Sequence, residues 1–385
     1  MGRNSLFVLS ARKVSMFAFS TLAILAIAMV GCGEPGTKST GNNSATGDEP
    51  GIIMLRYTTG SESTGQREKG FLKTMKEEYP EINILSSDQY AQTSVESSLT
   101  KATDLLGKFG GRVQGIFAVC EPNAQGTLNA LEEKRMFDQV KFVGFDPNST
   151  MVTALSENKM QGIVLQDPVQ MGYLAVKTMV EHLEGKKVET RIPTGEYVAT
   201  PENMNEPRMK ELLAPPQTDS SPEVKDAKYT IAVIPKGTTH EFWKSIHFGA
   251  VKAGKEFGNV QILYRGPSKE GNTESQINLV QDMIAKGVDG ICLAPNDSTA
   301  LVTPVEEAKK KGIPVVIFDS GLNGSKDNYV SYVATDNFNG GALAAHCLAK
   351  AVKAAAGTVD KKGEGEGDKK EANAKDPAGD KKDGK

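Results

Sequence analysis

Two runs of alternating strand-like and helix-like segments, separated by one proline-rich break, constrain this chain most. In the first run, residues 52–57, 81–85, 115–120, 141–146 and 162–166 are short and apolar, and read as strands. Residues 65–78, 95–109, 124–134, 150–158 and 170–183 lie between and after them and have helical spacing. Strands at 230–234, 261–264, 290–294, 314–319 and 329–334 make up the second run. It carries helices at 274–286, 298–311 and 339–356, and another that begins after Thr238 and Thr239, with Phe242, Ile246, Ala250 and Val251 on one face. Such alternation predicts parallel sheets covered on both faces. The fold class expected is α/β, with two similar Rossmann-like lobes.

The break at 201–228 contains Pro207, Pro215, Pro216 and Pro222 and many charges, and reads as a linker. It sets the boundaries: one lobe over 51–200, the linker, and a second lobe over 229–356. Residues 357–385 are Lys, Glu, Asp and Gly with almost nothing apolar, so a disordered charged tail is expected. The 385 residues are 38% hydrophobic and 24% charged with a net charge of −3. That balance suits a globular protein and gives no electrostatic reason to expect nucleic acid as a partner.

The N-terminus reads as an export signal. Arg3, Arg12 and Lys13 precede an apolar run at 17–30 that is short for a spanning helix. The run ends in Met29-Val-Gly-Cys32, which resembles the lipobox of bacterial lipoproteins, with Met where Leu is usual. Residues 1–31 are therefore expected to be a lipoprotein signal peptide and Cys32 the lipidated residue; an uncleaved anchor or an ordinary signal peptide is the other reading. Residues 32–50, rich in Gly, Ser, Thr and Asn, read as a flexible tether. Cys120, Cys292 and Cys347 form no CxxC or Cys/His cluster, so neither a disulfide framework nor a metal site is expected, and buried thiols are the plain reading.

The segment Thr230-Ile-Ala-Val-Ile-Pro-Lys-Gly-Thr-Thr-His-Glu-Phe-Trp243 is a strand, a polar loop and a helix start. In open α/β sheets ligands sit outside the carboxyl ends of strands. Phe242 and Trp243, the only Trp, fall at that edge. They suit either the core beneath a helix or a stacking platform for a ligand with an apolar face and polar edges, such as a sugar.

Seven stretches carry a resemblance. They are Ile234-Pro-Lys-Gly-Thr-Thr-His-Glu-Phe-Trp243, Gly287-Val-Asp-Gly-Ile-Cys-Leu-Ala-Pro-Asn-Asp297, Gly312-Ile-Pro-Val-Val-Ile-Phe-Asp319, Ala334-Thr-Asp-Asn337, Gln66-Arg-Glu-Lys-Gly-Phe71, Val143-Gly-Phe-Asp146 and Gln166-Asp-Pro168. Together they resemble the ribose/galactose-type periplasmic sugar-binding proteins, the type I solute-binding proteins of ABC importers. In that family the half with the first strand–helix turn comes first; here it comes second. The chain thus looks like a circular permutant whose old ends meet through the linker. Surface termini that lie close together make such a change tolerable.

The resemblance implies Asp319 and Asp146 as carboxylates accepting from sugar hydroxyls, Arg67 as the donor, and Gln166 as donor and acceptor beside the hinge. Phe242, Trp243 and Tyr90 would flank the ring, with Tyr90 placed only by its spacing after the strand that ends at Leu85. His240 and Cys120 stand where the ribose pattern has Asn, Ala294 replaces an Asn, and Ser320 follows Asp319 where Arg is expected. Fewer amide and guanidinium groups put ribose itself in doubt and leave a monosaccharide or polyol. His240 also reads as a plain surface-loop residue.

The protein expected is a lipid-anchored, extracytoplasmic binding protein, periplasmic or at the cell surface. It would be a monomer that hands a sugar to ABC permease subunits, with no catalysis, no cofactor and no bound metal. No HExxH, G-x-S-x-G or P-loop argues for an enzyme. A sugar-responsive repressor would need a DNA-binding helix pair where this chain has an export signal. A sensor that docks a membrane receptor is the alternative function.

Overall fold

The computed structural model describes residues 49–357. The lipobox, most of the tether and nearly all of the charged tail lie outside the described residues. No helix among the described residues is long and apolar enough to cross a membrane.

The strands in chain order are β1 (Gly51–Leu55), β2 (Asn83–Ser86), β3 (Val113–Ala118), β4 (Lys141–Phe145), β5 (Gly162–Gln166) and β6 (Arg191–Pro193). They continue as β7 (Glu196–Ala199), β8 (Tyr229–Ile234), β9 (Val260–Tyr264), β10 (Gly290–Leu293), β11 (Val315–Phe318) and β12 (Ser331–Ala334). The helices are α1 (Glu62–Glu78), α2 (Val95–Phe109), α3 (Glu121–Lys134), α4 (Ser149–Ser156) and α5 (Pro168–Leu183). After them come α6 (Pro207–Leu213), α7 (Glu241–Glu256), α8 (Thr273–Lys286), α9 (Val302–Lys310) and α10 (Asn337–Ala355).

Two sheets result, ordered β2-β1-β3-β4-β5-β7 and β9-β8-β10-β11-β12-β6. Within each, the first five strands have the same parallel order, with the earliest strand second from the edge. Strands such as Gly-Ile-Ile-Met-Leu in β1 and Val-Val-Ile-Phe in β11 are buried at every position, as strands covered on both faces must be. Side-chain caps from Asn148, Asp167, Asn272 and Asp336 start four of the helices where strands hand over to them.

The two lobes exchange elements, which chain order does not reveal. Helix α5 and strand β6 end the first lobe's stretch of sequence but pack in the second lobe: Met171, Ala175, Val176 and Met179 join the core built on β8, β10 and β11. Helix α10 ends the second run yet packs on the first sheet through Ala344, Ala345, Leu348 and Ala349. Division of the chain at 51–200 and 229–356 is therefore corrected for these three elements. Periodicity shows that a helix buries one face, not which sheet receives it.

Both exchanges depend on glycine. A Cβ on Gly341 of α10 would sit 2.0 Å from the Arg67 carbonyl oxygen of α1, and one on Gly172 of α5 would sit 2.1 Å from the Ile246 carbonyl oxygen of α7. The helix pairs touch backbone to backbone, which only glycine permits.

The proline-rich break is not a bare linker. Met209, Leu212 and Leu213 fall at helical spacing in α6 and are buried in the first lobe's core. Beyond α6 the chain is pinned to the second lobe, with Ser221 Oγ 2.7 Å from His247 Nε2 and the Val224 amide donating to Gln261 Oε1 at 2.8 Å. Pro207 at the first turn of α6 starts the helix rather than breaking it.

Candidate functional site

The carboxyl ends of the two sheets face each other across one cleft, and the polar residues there come from matching places. Tyr57 lies two residues after β1, and Lys236 two residues after β8, the equivalent strand. Asp146 follows β4 and Asp319 follows β11, again equivalent strands. Both aspartates have left-handed backbones, with φ of 64° and 60°. Asp is among the few residues that tolerate this conformation. The N-terminal turns of α1 and α7 add Arg67, Phe242 and Trp243, with His240 as the residue preceding α7. Cys120 and Glu121 come from the start of α3, and Glu270 from the loop before α8.

These residues line a half-open void of about 30 Å³. Space of that size holds roughly one or two waters, so the lobes are closed on each other. Lys236 fastens them. Its Nζ lies 2.8 Å from Asp319 Oδ2 in its own lobe, and donates across the cleft to Ser63 Oγ at 2.9 Å and Ser61 Oγ at 3.4 Å. Further bonds cross beside it: the Ser63 amide donates to Ser320 Oγ at 3.1 Å, and the Gly321 amide to Glu62 Oε2 at 2.8 Å.

Arg67 is 2% exposed and organises the first lobe. Its Nε donates to Asn337 Oδ1 at 2.7 Å, and its Nη1 donates to the Val119 carbonyl at 2.9 Å and pairs with Asp146 Oδ2 at 3.4 Å. Its guanidinium lies 3.6 Å over the Phe145 ring. Gln166 Nε2 donates to the other Asp146 oxygen at 2.9 Å. Burial pushes the Asp146 carboxyl up, while Arg67 and Gln166 pull it back down.

In the second lobe Glu270 is held by two donors. His240 Nδ1 is 2.9 Å and Trp243 Nε1 is 3.0 Å from Glu270 Oε2. Burial opposes the Glu270 charge, but the His240 hydrogen bond and charge, with Lys236, outweigh it and hold the group at about 2. Burial likewise lowers His240, yet the Glu270 hydrogen bond and charge, with Glu121 and Asp146, raise it to about 9, so the ring is protonated at neutral pH. Trp243 is 3% exposed and meets Phe242 edge to face at 4.8 Å. The pair packs into the second core and also lines the void.

Of the residues singled out in the sequence, Arg67, Cys120, Asp146, His240, Phe242, Trp243 and Asp319 line this one void. Gln166 reaches it only through Asp146. Tyr90 is corrected: its ring lies 4.6 Å under the Arg56 guanidinium and does not line the void. It follows β2, the edge strand, whereas Tyr57 follows the inner strand β1 and takes the aromatic place. Burial lifts the Cys120 thiol well above its ordinary value, and its Sγ donates to Asn123 Oδ1 at 3.3 Å. Lys236, Glu270, Glu121 and Tyr57 were not singled out. Tyr57 carried a readable signal, since it falls at the carboxyl end of a first strand, whereas Lys236 reads as a loop lysine. For Glu270, alone in a polar loop, there was none.

Two buried oxygens at the void, Tyr57 Oη and Glu121 Oε2, have no partner, while Asp319 Oδ2 has only the Lys236 ammonium at 2.8 Å. Buried polar groups left this way normally await a partner. The arrangement suits a small ligand rich in donors, gripped from both lobes.

A family model for the periplasmic binding protein domain matches residues 40–187 and 231–367, more than half of the chain. The chain belongs to that family. Among periplasmic binding proteins it is 37% identical over 131 residues to the D-ribose/D-allose-binding protein of Pseudomonas aeruginosa, a match covering 33% of this chain and 41% of the relative. It is 33% identical over 147 residues to the ribose import binding protein of Haemophilus influenzae, covering 38% and 48%. The chain thus spans less than half the length of these two relatives. A periplasmic solute-binding protein of an ABC transporter from Actinobacillus succinogenes, solved with bound D-allose, matches in fold over 80% of this chain and 92% of its own, with a TM-score of 0.54 at 14% identity. The two-lobe α/β architecture read from the sequence is the architecture of this family.

Proposed function

We propose that this periplasmic binding protein captures a monosaccharide or related polyol between its lobes and delivers it to an ABC importer. One observation carries the reading. Asp146 with Arg67 from one lobe, and Asp319 with Lys236 and Trp243 from the other, converge on a single void. Carboxylates accept from vicinal hydroxyls and an indole face covers the apolar side of a sugar ring. A ligand that touches both lobes stabilises the closed form by its differential affinity for it, and closure is the state a permease would recognise. The names of the curated relatives, which bind or import ribose and allose, support the ligand class.

The permuted order is part of the proposal. Each curated relative aligns over less than half its length, as expected when the order of halves prevents one collinear match. The ends of the two runs also meet. Val352 in the last turn of α10 and Ile52 in β1 both approach Gly115, and Lys353 Nζ lies 2.7 Å from Glu81 Oε1. A short join there would restore the family's order. Lipid attachment at Cys32 would hold the protein at the membrane, beside permease subunits.

Isothermal calorimetry with pentoses, hexoses, deoxy sugars and inositols tests the reading. At least one should bind with micromolar or tighter affinity, and its neighbouring epimers far more weakly, because a mismatched hydroxyl leaves a buried group unpaired. Absence of binding across the whole panel would refute a sugar-binding role.

A further inference from the structure

The charges around the void do not balance. Arg67, Lys236 and His240 are its cations, and each already has a carboxylate: Asp146 at 3.4 Å, Asp319 at 2.8 Å and Glu270 at 2.9 Å. Glu121 is a fourth carboxyl with no cation of its own in contact, and its Oε2 is buried and unpartnered. The two lobe-fastening cations are committed to protein partners. The Lys236 ammonium has three N–H groups and three partners, and Arg67 spends Nε and Nη1 on Asn337, Val119 and Asp146. Two buried oxygens are left over, Glu121 Oε2 and the Tyr57 hydroxyl, and Tyr57 is 2% exposed.

We infer that the cleft selects a monosaccharide or polyol carrying an amino group, and that Glu121 is the residue that sets this preference. The inference rests on the proposed sugar-binding role. A ligand ammonium brings three donors and one positive charge, and a positive charge of its own is what Glu121 lacks. A neutral parent sugar brings hydroxyls alone and leaves the fourth carboxyl either protonated or ionised without a counter-charge, and a buried unpaired charge is costly. Glu121 faces His240 and Glu241 from α7, Asp146 at the end of β4, and Asn148 beyond it. Burial pushes its carboxyl up to about 7 despite the pull of His240. A cationic group arriving beside it would drive it to the ionised form, so binding of the amine at mildly acidic pH should release a proton from Glu121.

Matched pairs test this by calorimetry on the intact protein: D-glucosamine against D-glucose, D-galactosamine against D-galactose, and D-mannosamine against D-mannose. At least one amino sugar should bind about tenfold or more tightly than its parent, the scale of one charge-assisted hydrogen bond. In Glu121→Gln the preference should fall to within about threefold, the neutral amide accepting a hydrogen bond without the charge. Neutral parents binding as tightly as their amines in the wild type would overturn the inference and leave the sugar-binding reading standing. So would a preference that persists unchanged in Glu121→Gln. If sugars of neither kind bind, both readings fall together.

Discussion

Asp146 and Asp319 are structural counterparts: each follows the fourth strand of its sheet in a left-handed backbone conformation, and each carries a basic partner, Arg67 or Lys236, into the same cleft. The pseudo-symmetry extends to Tyr57 and Lys236 after the first strands, and to the exchanged helices α5 and α10, each crossing to the other lobe. A ligand between the lobes would thus be met by two copies of one design, made unequal by side-chain choice.

The left-handed backbone gives a prediction that separates binding from stability. Replacing Asp319 by Ala or by Gly removes the same carboxylate and leaves Lys236 without its charge partner, a loss on the order of 3–5 kcal/mol. Ala must also hold a positive φ, which costs roughly 1–2 kcal/mol that Gly avoids. Asp319→Gly should therefore unfold at a higher denaturant midpoint than Asp319→Ala, while both lose ligand affinity. Equal midpoints would mean that the backbone at this position relaxes.

Stability of the ligand-free protein should depend on pH through three groups in the cleft. The His240 contribution, with a value raised from 6.5 to about 9, is complete below 6.5 and disappears as pH rises through 9. The Glu270 contribution, with a value lowered from 4.5 to about 2, is present above 4.5 and disappears as pH falls through 2. Glu121, raised from 4.5 to about 7, favours the folded state below 4.5 and progressively less as pH climbs through 7. Thermal unfolding should therefore show stability falling in two stages between about pH 5 and pH 9, of order 2–3 kcal/mol each. Glu121→Gln should remove the earlier stage and His240→Gln the later one. A flat profile in the wild type would contradict both assignments.

The contact between α1 and α10 sets the position of Arg67. A methyl group at Gly341 would strike the Arg67 carbonyl at 2.0 Å, and one at Gly70 the Phe338 carbonyl at 1.9 Å. Backbone cannot yield as a flexible side chain would, so Gly341→Ala should destabilise by about 1–3 kcal/mol. It should also weaken ligand binding without touching the ligand. Unchanged melting and affinity would show that the helices separate freely.

Much of this was legible before the structure. Parallel sheets follow from strands apolar on both faces, and Asp146, Asp319, Arg67, His240 and Trp243 lie at strand and helix ends where an α/β sheet collects its ligand groups. Other features depend on tertiary contacts that no local pattern encodes. Lys236 reads as a solvated loop lysine until Ser61 and Ser63 arrive from the opposite lobe. Helix α6 hides in a proline-rich stretch because its stripe, Met209, Leu212 and Leu213, is only one turn long. Tyr90 was misplaced because spacing after a strand does not say whether that strand is central or at the edge.

Lipid attachment is testable independently of the fold. With the lipobox at Met29-Val-Gly-Cys32, Cys32→Ser should move the protein from the membrane fraction to the soluble extracytoplasmic fraction. Full retention of the Ser variant on membranes would rule out the lipoprotein reading.

The central claim is that one ligand is gripped by both lobes, and the single Trp allows a direct measurement. Trp243 belongs to the second lobe and Asp146 to the first. Titration of a binding sugar, followed by Trp243 emission, should show a saturable shift as closure excludes water from the indole. In Asp146→Asn the same Trp243 signal should saturate only at a sugar concentration about tenfold or more higher, the cost of one charge-assisted bond made from the opposite lobe. Titration curves that superimpose for the wild type and Asp146→Asn would mean that the ligand is held by the second lobe alone, and the two-lobe grip would be wrong.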